Sequence, residues 1–259
     1  MTVRPTVVAM TLLAGAAWSC SSDPASRGRE IVERMSTTLG SAKALSVATR
    51  EVRDRVKADG SIQQVTMSRE TVVRRPDRLY TRATGDVNTE VWYDGIGLTV
   101  VLHKEKVFAQ ARLPETLDRA LDAIHERYHV PMPVADFLYS APGKALLADT
   151  TTGAWVGRET VEGVSTDHLL FKDKGVEWEA WIAAAGNPLP VKAILRFPDS
   201  KRLRRAELTF SNWNLAPDIP ADRFNPHVGE DYEGIAMIQR AAILRHAGDK
   251  AQPSEPAKK

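Results

Sequence analysis

Residues 121–131, LDAIHERYHVP, contain His125-Glu126-x-x-His129. On a helix this spacing sets two imidazoles one turn apart on one face, where they can chelate zinc, with the glutamate placed as general base of a hydrolase. Catalytic zinc also needs a third protein ligand. Pro131 and Pro133 stop a helix just past His129, and neither extended zincin pattern follows, so only Asp136 and Asp149 remain as generic candidates. The motif shares a flank with Asp118 and Asp122, beside the apolar stripe of Leu113, Leu117, Leu121, Ile124 and Tyr128. A solvated His/Asp flank explains that placement, and a zinc-dependent hydrolase stands as the alternative. No catalytic residue, metal ligand or cofactor is assigned.

Other chemistry-bearing residues are more scattered. His168, in TDHLLF, falls in a strand and suits a hydrogen-bonded sheet position, while His103 beside Lys104 and Glu105 suits a surface strand end. The basic cluster SKRLRR, residues 200–205, alternates its side chains and gives no one-sided patch. There is no nucleophile elbow and no glycine-rich phosphate loop. The formal charge is +2, and +1 without the first nineteen residues, whose one charge is Arg4. Near-balance of this kind supplies no broad field for nucleic acid.

Both ends of the chain carry signals. Arg4 precedes the twelve-residue apolar run TVVAMTLLAGAA, too short to span a bilayer, and AWSC follows with small residues at 17 and 19. Residues 1–19 therefore read as a signal peptide, which expects a periplasmic protein. Cys20 is the single cysteine, so no internal disulfide exists. Two fates fit it: acylation as the first residue of a membrane-anchored lipoprotein, with 20–27 as a polar tether, or a free thiol after ordinary cleavage. At the other end, residues 233–259 read as a short helix stopped by Gly248 and then a disordered tail, GDKAQPSEPAKK.

The elements that must position these residues occupy 28–232. Ile31, Met35 and Leu39 mark one amphipathic helix ending near Gly40. From Leu45 the period becomes two, and turn signals at Asp59-Gly60, Asp94-Gly95, Glu162-Gly163 and Lys174-Gly175 separate strands. A helical block interrupts them, with Pro114 in its first turn and shorter pieces in VADFLYS and GKALLAD. Ten or eleven strands without βα alternation predict an α+β domain built on one large curved antiparallel sheet. Along GVEWEAWIA, PVKAILRF and RAELTF one face is apolar and the other solvated.

The succession RMSTTLGSAKALSV, VVRRPDRL, VWYDGIGLTV, YHVPMPVADFLYS, VEGVSTDHLLF, VEWEAWI, NPLPVKAIL and LTFSNWNL resembles a domain-of-unknown-function family of predicted periplasmic proteins. That family is similar to the lipoprotein carriers LolA and LolB. The resemblance implies a half-open β-barrel whose concave face is covered by helices. It implies non-enzymatic binding of a lipid acyl chain or an acylated protein in an apolar cavity between sheet and helices. A monomer with no nucleic-acid partner is expected, touching the membrane through Cys20 if that residue is acylated. The HVPMPVADFLYS insertion departs from LolA. Expected cavity walls are Val65, Met67, Val100, Trp178, Ile182, Leu195 and Phe210 from strands, with Phe137 and Leu138 from the covering helices. An apolar stripe shows burial without separating a wall from a packed core, and a structural interaction domain with a filled core stays open.

Overall fold

The computed structural model describes residues 23–128, 132–201 and 203–237. Cys20, the signal segment, His129 and the C-terminal tail lie outside them. Helix α1 spans Pro24–Ser41. It starts inside the expected tether because Asp23 caps it, accepting from the Ser26 backbone N–H at 3.3 Å, and because Pro24 fits a first helical turn. Its inner face, Ile31, Val32, Met35 and Leu39, is fully buried. Helix α1 ends one residue past Gly40, close to the stop that the sequence suggests. A Cβ on Gly40 would sit 2.3 Å from the Ser140 carbonyl oxygen, so glycine is needed where α1 meets the helical block.

Six antiparallel strands follow: β1 (Ala44–Val56), β2 (Ile62–Arg74), β3 (Arg78–Gly85), β4 (Thr89–Tyr93), β5 (Gly97–Leu102) and β6 (Val107–Arg112). The block then contributes α2 (Leu117–Tyr128), a 3-10 turn at Ala135–Phe137, and α3 (Pro142–Leu147). Pro114, expected within α2, lies ahead of it, where its carbonyl accepts the Tyr93 hydroxyl. A second meander completes the chain: β7 (Thr150–Val161), β8 (Val164–Asp173), β9 (Glu177–Ala183), β10 (Pro190–Arg196) and β11 (Leu203–Asn214). Pairing of β11 with β1 fuses the two meanders into one sheet.

The last strand corrects the sequence reading. Glu233–Ala236, expected to open a helix, forms β12 and lies parallel to Val107–Gln110 of β6. The sheet therefore has twelve strands, in the order β12-β6-β5-β4-β3-β2-β1-β11-β10-β9-β8-β7. It is antiparallel throughout except at this edge. Residues 215–232, which lead to β12, run across the outer face. There Ile219, Phe224, Val228 and Tyr232 cover Val72, Tyr80, Trp92, Val101 and Phe108. One stretch of the outer face, over β2–β6, is thus apolar and covered.

Twelve flat strands at about 4.8 Å spacing would extend roughly 50 Å, far more than three short helices can cover. Yet one hydrophobic cluster joins Leu45, Leu79, Tyr93 and Leu98 from the first meander to Leu169, Phe171, Ile182 and Leu208 from the second. The same cluster takes in the inner faces of α1 and α2. The sheet must curl for both halves to reach one core. Helix α1 crosses to the far edge strand, where Gly28 lies against the Ala154–Trp155 backbone and the Arg27 guanidinium stands 3.7 Å over the Trp155 ring.

The concave face is not apolar from end to end. Glu51, 1% exposed, accepts from Arg53 at 2.5 Å and from Arg69 at 2.6 Å. Thr71 and Thr81 extend this layer across β2 and β3. Burial alone would raise the Glu51 carboxyl; the guanidiniums of Arg69 and Arg53 more than offset it and hold the group below the ordinary carboxylate value. Removing the acid would strand a buried cation, so Glu51→Ala is expected to cost about 3–5 kcal/mol. Urea denaturation at pH 7 measures this, and a loss below about 1 kcal/mol, the scale of an exposed pair, would show that the ion pair is not buried as described.

Candidate functional site

The helical block is fastened to the rest of the fold at two places, by Arg75 and by Ser36, and is tied within itself by two acids of α2. Arg75, at the end of β2, donates to the carbonyls of Leu138 at 2.9 Å and Tyr139 at 2.8 Å. Asp118 of α2 accepts from the Ser140 N–H at 2.9 Å and from its hydroxyl, and Asp122 accepts from the Tyr139 hydroxyl at 2.8 Å. The Gly143 N–H, opening α3, donates to Ser36 Oγ of α1 at 2.9 Å. The side facing β9 and β10 carries no such fastening among the described residues. There a cleft of about 770 Å³ opens between block and sheet.

Its sheet wall is Trp178, Ala193, Leu195 and Phe197; the helical wall includes Leu121, Ala135, Phe137, Ala145 and Leu146. Alanines on both sides explain the gap. Ala135 and Ala145 come from the helical side and Ala193 from the sheet, and these short side chains leave room that leucines would fill. Three of the expected wall residues line this cleft: Phe137, Trp178 and Leu195. Leu138, Ile182 and Phe210 are instead in the packed core, where the Phe210 ring meets Phe137 at 5.2 Å. Val100 is half-buried against the same core. Val65 and Met67 form a small separate cluster with Ala83, beyond the Glu51–Arg53–Arg69 layer. Alternation gave the correct face for these residues but not their position along it.

The rim is acidic. Asp118, Asp122, Glu126, Asp136, Asp149 and Asp173 line the cleft, against Lys144 and His125. A seventh acid, Glu179, turns its carboxylate to the outer face, where Arg196 and His168 hold it. Burial raises the half-buried Asp136 carboxyl to about 6, with Asp173 adding to the rise and His125 opposing it. Asp136 makes no hydrogen bond among the described residues. Burial also raises Asp173, and it raises the Tyr139 hydroxyl, to which Asp122, Asp136 and Asp118 add.

His125 and Glu126 are exposed at this rim, so the flank seen in the sequence borders the cleft. His129 lies outside the described residues. Among the described residues no three His, Cys, Asp or Glu side chains are placed to hold a metal. His168 is a hydrogen-bonded sheet histidine, with Glu159 and Glu179 each at 2.8 Å and Trp181 stacked at 4.3 Å. His103 is no loose surface residue: it bridges Glu90 at 3.0 Å and the Tyr232 hydroxyl at 2.8 Å. That role depends on the returning C-terminal segment, which local pattern does not reveal.

Ionising Asp136 opposes folding. The folded carboxyl keeps its proton up to about pH 6, whereas its unperturbed value is 3.8, so stability falls as pH rises through that window. Asp136→Asn is therefore expected to melt higher than the unaltered protein at about pH 7.5, above the folded value. The advantage shrinks toward zero near pH 4, read by thermal melts at both pH values. A gain independent of pH would contradict this assignment.

An α+β protein with a curled sheet, a helical cover and an open cleft between them is the class that these features define. The chain belongs to the family described as "Predicted periplasmic protein (DUF2092)", whose model matches residues 28–238. The sequence resemblance is thereby confirmed. No curated protein matches the chain in sequence. Among solved structures, it is similar to an uncharacterized conserved protein from Thermus thermophilus, at 7% identity and TM-score 0.49, covering 81% of this chain and 99% of that one. It is also similar to lipoprotein LppX from Mycobacterium tuberculosis, at 18% identity and TM-score 0.47, covering 77% and 100%. A LolA superfamily protein from Nitrosomonas europaea matches at 11% identity and TM-score 0.40, covering 77% and 97%.

Proposed function

We propose that this protein binds one hydrocarbon chain, of a lipid or of a lipidated protein, in the cleft between α2–α3 and β9–β10, and performs no chemistry on it. The observation that carries this is the cleft of about 770 Å³, walled by apolar side chains and open to solvent, in the range of small-molecule sites. Burying eight methylenes at about 0.8 kcal/mol each gives roughly 6 kcal/mol before ordering costs, enough for capture that can be reversed. The family's description as periplasmic supports this function, because hydrocarbon must be shielded from water in that compartment.

Ala145 on α3 faces the cleft, so Ala145→Trp fills it from the helical side. That variant is expected to lose at least tenfold in affinity for a fluorescent acyl probe. Val156→Trp, at a 53% exposed edge-strand position, should bind as the unaltered protein does. Equal binding by both variants would place the chain elsewhere.

Acylation of Cys20 would hold the domain at a membrane, where such a chain is taken up or released. A palmitate analogue supplied during growth should label the protein, and Cys20→Ser should abolish the label. An unlabelled parent protein would remove the anchor from this account.

A further inference from the structure

Asp136 differs from the other acids of the cleft. Asp118 and Asp122, on α2, accept hydrogen bonds from Ser140 and Tyr139, and Glu126 and Asp149 are exposed. The Asp136 carboxyl is half-buried and makes no hydrogen bond among the described residues. It stands on the 3-10 turn between Ala135 and Phe137, both of which line the cleft with it. Hydrocarbon laid along that wall passes over the carboxyl.

The charges around it do not neutralise it. His125 of α2 favours the ion, and Asp173, at the end of β8, opposes it. Lys144 of α3 is exposed at the same rim, with Asp118, Asp122 and Glu126 on α2 and Asp149 ahead of β7. On the sheet side, β10 presents Ala193 and Leu195, and Glu179 of β9 turns its carboxylate to the outer face. Burial already raises the Asp136 carboxyl to about 6. A chain lying over it removes the water that remains, which costs the ionised form and spares the neutral one.

From this geometry we infer that the proton on Asp136 controls the cleft: an acyl chain is held tightly while this carboxyl is neutral and loosely once it is ionised. This rests on the function proposed above and specifies its regulation. The sign follows from linkage. Below about pH 6 the empty cleft already carries the proton and affinity is at its highest. Above that value binding has to return a proton to Asp136, so affinity falls as pH rises.

The test titrates the full chain with octaethylene glycol monododecyl ether, below its micelle concentration and at constant ionic strength. This probe carries a twelve-carbon chain and no ionisable group, so a pH dependence belongs to the protein. Calorimetry at pH 5 and pH 7.5 gives the affinities. At pH 6.5, two buffers of different ionisation enthalpy give the protons exchanged on binding. The unaltered protein is expected to bind about fivefold or more tightly at pH 5 than at pH 7.5, and to take up a fraction of a proton at pH 6.5. Asp136→Asn, neutral at both pH values, should bind equally at each and take up none. His125→Gln removes the facing imidazole and should keep the dependence.

Equal or tighter binding at pH 7.5 by the unaltered protein would overturn this control while leaving the acyl-chain function standing. A dependence that survives in Asp136→Asn, or disappears in His125→Gln, would overturn its assignment to Asp136. Absence of binding at both pH values would overturn this inference together with the function on which it rests.

Discussion

The structure depends on one constraint: the apolar face of a twelve-stranded sheet has to be removed from water. Curling lets the two meanders share a core, and α1 closes the space between them by reaching across to β7. The remaining cover is α2, a 3-10 turn and the six-residue α3. These elements cover Leu45, Leu79 and Phe210 tightly. Over β9 and β10 they do not, and Ala135, Ala145 and Ala193 leave space among the larger wall residues. The cleft is what remains when the cover is shorter than the surface beneath it.

A second constraint limits how far an apolar guest could extend. The Glu51–Arg53–Arg69 layer crosses the concave face midway along β1 and β2, with Thr49, Thr71 and Thr81 alongside. It separates the main core from Val65, Met67 and Ala83. That layer is buried and its charges are paired with one another, so it offers hydrocarbon no apolar surface to lie on. The interior is therefore divided, and the part open to solvent is the one under the helical block. The acids at its rim belong to the block and to the ends of neighbouring strands. Two of them, Asp122 and Asp118, are positioned by hydrogen bonds from Tyr139 and Ser140.

Local signals in the sequence account for most of the architecture. Gly60, Gly95, Gly163 and Gly175 all take positive φ at the turns where Asx-Gly and similar pairs stand. Period-two alternation placed Trp178, Leu195 and Phe210 on the inner face. Features made by distant parts of the chain were not legible. Strand β12 forms because residues 215–232 bring Glu233 beside Val107, and a four-residue strand held by its neighbour carries little pattern of its own. The same segment turns His103 from an apparent surface residue into a contact and packs against Phe108. Alternation assigns a face but not the depth along it, so Val65 and Met67 were grouped with residues from which a buried ion layer divides them. The His125-Glu126 pair was read as a solvated flank, and it is one, though it borders the cleft.

The most direct measurement is native mass spectrometry of the full chain released gently from its own cell envelope. The account predicts a mass excess corresponding to one acyl-bearing molecule per protein, displaced when Ala145→Trp fills the cleft. Repeated recovery of the bare polypeptide mass, from preparations in which the fold is intact, would contradict it.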